Sequence, residues 1–411
     1  MMGPTASAAR PPASPRRRSL LAAGMAGAAA AALRPAPAAA TGRCPWSEWD
    51  RFVEHFVQAD GRVLDASTPR RHSSSEGQSY AMFFALVAND APAFERIWRW
   101  SVANLCGGDL AANLPAWLWG LGDDGQWGVI DRNSASDGDL WFAYSLFEAG
   151  RLWRRPDYTR DAQQLLANIE AREIADLPGL GKMLLPGAEG FARPEGIWKL
   201  NPSYLAVFQF QRLALESPGG PWLEIAANTV RLMDAVCPEG FVADWVAYEG
   251  TSAEQGRFAL DPDKGGTGSY DAIRAYLWAG MLPAGDPASL ALLASLDGMA
   301  RIAGSPGYPP ETVQVLSGEA SGSGPFGFSA ALLPYLQSCG QAARADEQRA
   351  RVQSLWSAAL RPESIAQRQP PYYDYVLSLF GTGWQDQRYR FLGTGHVQLQ
   401  WEKTCPLAAT P

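Results

Sequence analysis

The feature that most constrains this chain is a succession of about a dozen segments with helical periodicity, spread from residue 46 to residue 380. Residues 137–153 place Phe142, Leu146, Ala149 and Trp153 on one helical face, and residues 91–105 do the same with Phe94, Ile97, Trp98 and Val102. Similar patterns occupy 46–58, 76–88, 157–172, 202–214, 221–236, 269–281, 287–302, 326–338, 343–359 and 371–380. Gly/Pro-rich connections such as Pro178-Gly179-Leu180-Gly181 and Gly304-Ser305-Pro306-Gly307 separate them. Only short strand-like pieces, such as Thr312 to Leu316, fit between. With no fixed-period repeat and no linker splitting the chain, a single all-α domain over residues 41–411 is expected. Counted in order, the even segments begin near Glu76, Asp137, Pro202, Ser269 and Phe326. Helices joined by tight turns alternate in direction, so the even ones all start on one face. As the inner ring of a double ring, they would surround one opening with their N-termini.

The first forty residues stand apart from this pattern. Arg17-Arg18-Ser19-Leu20-Leu21 reads as a twin-arginine export motif, followed by a weakly apolar, Ala-rich run to Leu33 and by the small residues Ala38-Ala39-Ala40. The run is shorter than the roughly 20 apolar residues of a membrane span. Residues 1–40 are therefore expected to be a cleaved signal peptide, and the mature chain a periplasmic or secreted protein without membrane insertion. Removing them takes away five Arg and no acid, leaving 30 basic against 42 acidic residues, a formal charge of −12. Phosphate binding needs a basic surface, so this balance argues against nucleic acid and leaves a neutral polymer open. The five cysteines form no Cys-x-x-Cys pair, which gives no support to zinc or redox motifs. Cys44 and Cys405 lie near the two mature ends, and an oxidising compartment would permit a disulfide between them.

Three acidic residues sit where even helices begin. Glu76 lies in Ser75-Glu76-Gly77-Gln78, with Ser75 and Gln78 at capping-box spacing. Asp137 lies in Ser136-Asp137-Gly138-Asp139, with Ser136 as the expected cap, and Asp271 lies in Ser269-Tyr270-Asp271-Ala272-Ile273-Arg274. Each alone reads more simply as an acid complementing or capping a helix start, or for Asp271 as a local partner of Arg274. Their chemistry gains weight from what is missing. The three His residues form no His-Glu-x-x-His motif, and no Gly-x-Ser-x-Gly elbow occurs. A calcium loop lacks its closing glutamate at the required spacing. Gly322-Ser323-Gly324-Pro325-Phe326-Gly327 matches a dinucleotide fingerprint, but the helical pattern after it lacks the strand that a parallel sheet requires. Glycoside hydrolysis needs only two carboxyl groups, one protonated and one ionised, so no metal or cofactor is expected. It also uses aromatic platforms. Trp117, Trp119 and Trp127 precede the second acid and serve equally well as platforms or as core.

Several ordered stretches carry a family resemblance. They are Ser75-Glu76-Gly77-Gln78-Ser79-Tyr80, Pro115-Ala116-Trp117-Leu118-Trp119-Gly120 and Ala135-Ser136-Asp137-Gly138-Asp139. Asn201-Pro202-Ser203-Tyr204, Ser269 to Arg274 and Gly327-Phe328-Ser329-Ala330-Ala331 follow. With them the chain resembles glycoside hydrolase family eight from about Trp46 to Trp384, in particular its periplasmic cellulase branch from bacterial cellulose-synthesis systems. Phe142 and Phe147 depart from the smaller aliphatic residues of the family signature, at apolar positions away from the acids. The resemblance implies an (α/α)₆ barrel and an inverting endo-β-1,4-glucanase. It implies Glu76 as general acid, Asp271 as general base and Asp137 as a third essential acid that holds the sugar spanning the cleavage point. Tyr204, Tyr270 and Arg274 would line that subsite, with Trp117 and Trp119 as candidate platforms. The implied partner is β-1,4-glucan, with the cellulose synthase complex as a further candidate. Relatives also cut chitosan, xylan or mixed-linkage glucan, and a non-catalytic glucan-binding protein is the alternative outside enzymes. One physical difficulty stands out. A helix N-terminus favours ionised Glu76, so burial against residues such as Tyr80 and Trp119, or the charges of Asp137 and Asp271, must prevail if it is to hold a proton.

Overall fold

The computed structural model describes residues 45–302 and 307–404. The expected signal peptide and both Cys44 and Cys405 lie outside the described residues. Two burial patterns sort the helices. The first kind buries one stripe. α1 (Ser47–Phe56) buries Trp49, Phe52 and Phe56, α3 (Ala91–Asn104) buries Phe94, Ile97 and Trp98 among others, and α5 (Pro156–Arg172) buries Tyr158, Ala162, Leu165, Leu166 and Ile169. The second kind is buried nearly all round. α2 (Ser75–Val87) buries every residue except Glu76, and α4 (Ser136–Leu152) buries everything from Ser136 to Gly150. A one-sided stripe belongs to an outer layer and all-round burial to an inner one.

The rest of the chain repeats the alternation. α6 (Val207–Glu216), α8 (Ile273–Met281), α11 (Phe326–Ser338) and α14 (Tyr372–Gln385) join α2 and α4 in an inner ring. α7 (Trp222–Val236), the pair α9 (Pro287–Ser295) and α10 (Asp297–Ile302), and α12 (Ala342–Ala359) join α1, α3 and α5 outside. This is an (α/α)₆ barrel, with two short extra helices, α13 (Pro362–Ile365) and α15 (Trp401–Thr404). Trp141 of α4 is the hub of the inner ring. Its ring lies 4.8 Å from Phe83 of α2, 5.9 Å from Phe208 of α6, 5.5 Å from Trp278 of α8 and 5.2 Å from Phe380 of α14. Phe380 also meets Phe84 at 4.6 Å, which closes α14 onto α2. Truncating Trp141 to Ala would cost about 3–5 kcal/mol by lost burial and cavity formation. Two inner contacts are closer than any side chain allows: a Cβ on Gly280 would fall 2.2 Å from the Tyr335 amide nitrogen, and one on Gly381 would fall 1.8 Å from the Ala330 carbonyl.

The opposite end of the ring from the N-termini is plugged by a hairpin, Tyr389–Phe391 paired with Val397–Leu399, whose Phe391 stacks on Phe208 at 3.7 Å. Buried Glu148 of α4 binds Arg212 of α6 at 2.6 Å and the Val397 amide at 3.1 Å, so one fully paired charge ties the hairpin to two inner helices. Three expected helices differ in detail. The 202–214 segment opens as a 3-10 turn over Pro202–Tyr204, the 269–281 segment becomes helical only at Ile273, and the 287–302 segment breaks into α9 and α10. Short strands sit in the loops at the N-terminal face of the inner ring, including Thr312–Gln314.

Candidate active site

The first turns of α2 and α4 meet because glycine follows Asp137. A Cβ on Gly138 would lie 2.8 Å from Ser75 Oγ and 2.9 Å from the Glu76 amide nitrogen. Only a bare backbone permits this approach, and it brings Glu76 and Asp137 side by side. The caps differ from those expected. Ser74, in strand β1 (Ser73–Ser74), caps α2 by accepting from the Gly77 amide at 3.1 Å. Gln78 turns inward instead, accepting from the Val63 amide and donating to Ser101 Oγ at 3.0 Å. Ser136 starts α4 without a capping bond, and its buried Oγ has no partner among the described residues.

β1 pairs with β2 (Leu118–Leu121), which pairs with β3 (Trp127–Asp131), and this small sheet presents the tryptophans. Trp117 is 40% exposed, and its indole Nε1 donates to Glu76 Oε1 at 3.1 Å. Trp119 is sandwiched. It meets Trp100 edge-on and stacks on Trp127 at 5.6 Å, with the Arg62 guanidinium 4.4 Å from its ring centre. The open face of that stack belongs to Trp127, 46% exposed.

Arg274 organises the other side. Its Nη2 donates to Ser203 Oγ at 2.8 Å and Asp271 Oδ1 at 3.0 Å, and lies 3.7 Å from Asp137 Oδ2. One guanidinium nitrogen thus stands between two of the three acids. Tyr80 Oη donates to the same Asp137 oxygen at 3.3 Å. Tyr204 packs with its ring centre 5.7 Å from the Arg274 guanidinium. Tyr270, 46% exposed, donates to Glu311 at 3.0 Å, and its carbonyl accepts from Tyr373 Oη at 2.6 Å. The eight sequence-predicted site residues therefore lie around one opening, with Trp119 as the inner partner of a stack. Asp271 sits in a turn before α8, not inside the helix.

Electrostatics answer the Glu76 difficulty. Its side chain is partly buried, and desolvation pushes its pKa up. Its own amide, Arg274, Trp117 and Ser75 all pull down, but burial wins. Asp137 is only 3% exposed, and burial, reinforced by the Glu76 charge, pushes it well above the usual carboxylate range against Arg274 and the Gly138 amide. Two acids raised this way, beside a more open Asp271 paired with Arg274, form a site equipped for proton transfer. Among the described residues no group of three His, Cys, Asp or Glu side chains is arranged to hold a metal ion.

Sequence reasoning missed Tyr373 and Asp244. Tyr373 lies in the first turn of the sixth inner helix, so helix parity carried through to segment 371–380 would have found it. Asp244 accepts three backbone hydrogen bonds from the turn bearing Asp271, and nothing local marks it.

Comparison with known proteins agrees with this geometry. Residues 25–387 match the model of the glycosyl hydrolases family 8. An endoglucanase from Pseudomonas fluorescens (strain SBW25) is 49% identical over 88% of this chain and 93% of its own length. An endoglucanase from Xanthomonas axonopodis pv. citri (strain 306) is 48% identical over 96% and 99%. The crystal structure of an endo-1,4-D-glucanase from Vibrio fischeri ES114 superposes with a TM-score of 0.81 at 40% identity, covering 87% of this chain and all of that one. An inner ring of helix N-termini bearing carboxyls, and a match spanning most of the chain, lead to one conclusion: the chain belongs to glycosyl hydrolases family 8 and is a glycoside hydrolase.

Proposed function

We propose that this enzyme is an endo-β-1,4-glucanase that cuts internal bonds of cellulose with inversion at the anomeric carbon. The observation that carries the reading is the convergence of Glu76, Asp137 and Asp271 around Arg274 at the mouth of the inner ring. Glu76, whose protonated form burial favours, protonates the leaving glycosidic oxygen. Asp271 takes a proton from water, whose oxygen attacks the anomeric carbon as the old bond breaks. Asp137 accepts a hydroxyl of the sugar spanning the cleavage point, steadied by Tyr80 and Arg274. Tyr204, Tyr270 and Arg274 line that subsite, and Trp117 with the Trp119–Trp127 stack offers flat apolar faces to sugar rings. Relatives named as endoglucanases, one of them as an endo-1,4-D-glucanase, support the linkage and the endo mode.

We further propose that the mature form is residues 41–411, exported by the twin-arginine route to the periplasm and acting there in cellulose biosynthesis, with the synthase complex as a partner. The Arg17-Arg18 motif and Ala38-Ala39-Ala40 support export. Among the described residues no helix is long and apolar enough to cross a membrane. Purified protein should release reducing sugar from carboxymethylcellulose while viscosity falls early, as internal cuts require. Release from chitosan or xylan alone would move the substrate within the fold, and binding without release would support the glucan-binding alternative.

A further inference from the structure

We propose that Asp244 is a positioning residue that sets the geometry of the general base. The inference rests on the reading of Asp271 as that base. α8 begins at Ile273 behind Ala272, whose methyl cannot accept a hydrogen bond, so the turn ahead of it has no cap of its own. Three of its N–H groups, those of Ser269, Asp271 and Ala272, instead converge on a single oxygen, Asp244 Oδ1, at 2.8, 3.1 and 2.8 Å. Bonds from amides to a carboxylate are charge-assisted and roughly twice as strong as neutral ones.

One of the three donors is the amide of Asp271 itself. The base is therefore held at two points, its backbone by Asp244 and its carboxyl by Arg274.

Asp244 is itself fixed. It lies between the end of α7 and the strand Val246–Ser252, and its amide donates to the Thr267 carbonyl at 2.9 Å. The residues before it, Phe241, Val242 and Ala243, are buried. The Val242 carbonyl oxygen occupies the place where a Cβ on Gly268 would fall, 2.2 Å away, and the Val242 amide reaches Tyr276 Oη of α8 at 3.4 Å. The acceptor is thus anchored to the same strand and helix that flank the turn it holds. Misplacing a reacting group by about 1 Å can cost on the order of 100-fold in rate, which sets the scale of the expected effect.

The test compares Asp244→Ala, Asp244→Asn and Asp244→Glu in the full chain, with kcat and KM measured on a soluble β-1,4-glucan and corrected for folded fraction. Asp244→Ala should lower kcat by on the order of 100-fold with KM within about threefold, as expected when ground-state binding is kept. Asp244→Asn, which keeps a carbonyl acceptor, should recover at least about tenfold of that loss. A folded Asp244→Ala enzyme with kcat within about threefold of the parent overturns the proposal. If that variant does not fold, Asp244→Glu decides: its extra methylene should displace the turn and lower kcat, and an unchanged kcat overturns the proposal. Asp271→Gly with added azide keeps the two readings apart. Full activity in Asp271→Gly defeats the base assignment, whereas an inactive, azide-rescued Asp271→Gly beside a fully active Asp244→Ala defeats only the positioning role.

Discussion

Glu173→Gln should change how stability depends on pH. Glu173 and Asp139 are both 0% exposed, and their carboxyls meet at hydrogen-bond range behind the first turn of α4. Glu173 Oε1 accepts from Ser134 Oγ, while Glu173 Oε2 and both Asp139 oxygens have no N–H or hydroxyl partner among the described residues. Two ionised carboxylates cannot share that space, so the pair holds a proton. Burial raises Glu173 from 4.5 to about 7, against the Ser134 and Asp139 hydrogen bonds, and burial together with the Glu173 charge pushes Asp139 well above its usual range. The sign follows from which state binds the proton. Between pH 4.5 and about 7 the unfolded chain has released it and the folded protein has not, so stability falls as pH rises through that window. The fall attributable to Glu173 is on the order of 3 kcal/mol. The amide introduced by Glu173→Gln does not titrate and can donate to Asp139. Urea unfolding at fixed temperature, repeated at several pH values from about 4.5 to 8, measures the difference between variant and parent. That difference should shift in the variant's favour by on the order of 3 kcal/mol across the window. Parallel stability curves would refute the shared proton.

Other consequences can be checked separately. Trp117→Phe removes a donor that pulls the Glu76 pKa down, so the alkaline limb of the kcat/KM profile should move to higher pH; an unmoved or lowered limb contradicts the assignment of that limb to Glu76. Trp127→Ala should raise KM several-fold for long glucans and little for the shortest substrates, since it carries the open face of the stack, and equal effects at all lengths would make it a packing residue. Trp119→Ala, which removes a ring held between Trp100, Trp127 and Arg62, should lower the melting temperature as well. Replacing Arg17 and Arg18 with Lys should leave the protein in the cytoplasm by fractionation, and normal export of that variant would remove the twin-arginine reading.

The double ring was legible because it is written in local periodicity. Alternating helices with a one-sided stripe and helices apolar all round leave their pattern in consecutive residues, and helix parity then puts Glu76, Asp137 and the Asp271 turn on one face. The glycine between Asp137 and Asp139 did not reveal what lies against it, which the structure identifies as the first turn of α2. What stayed hidden depends on groups distant in sequence. The Ser75–Gln78 pair had the spacing of a capping box, but burying Gln78 against Val63 and Ser101 satisfies its amide inside the barrel, and Ser74 caps instead. The start of α8 was placed four residues early because its turn is capped from Asp244, 25 residues before Ser269. The Asp139–Glu173 pair was equally invisible, since nothing in either local sequence announces a shared proton.

The stereochemistry of the first product bears most heavily on the paired roles of Glu76 and Asp271. An inverting site must leave room for a water, with its two carboxyls roughly 6.5–9.5 Å apart, whereas a retaining site brings them to about 5–5.5 Å. Proton NMR of a β-1,4-linked oligomer during the first minutes of cleavage reads the outcome directly. The α-anomer should appear first and then mutarotate towards equilibrium; a β-anomer formed first would contradict water activation by Asp271 and make Asp137 the candidate nucleophile.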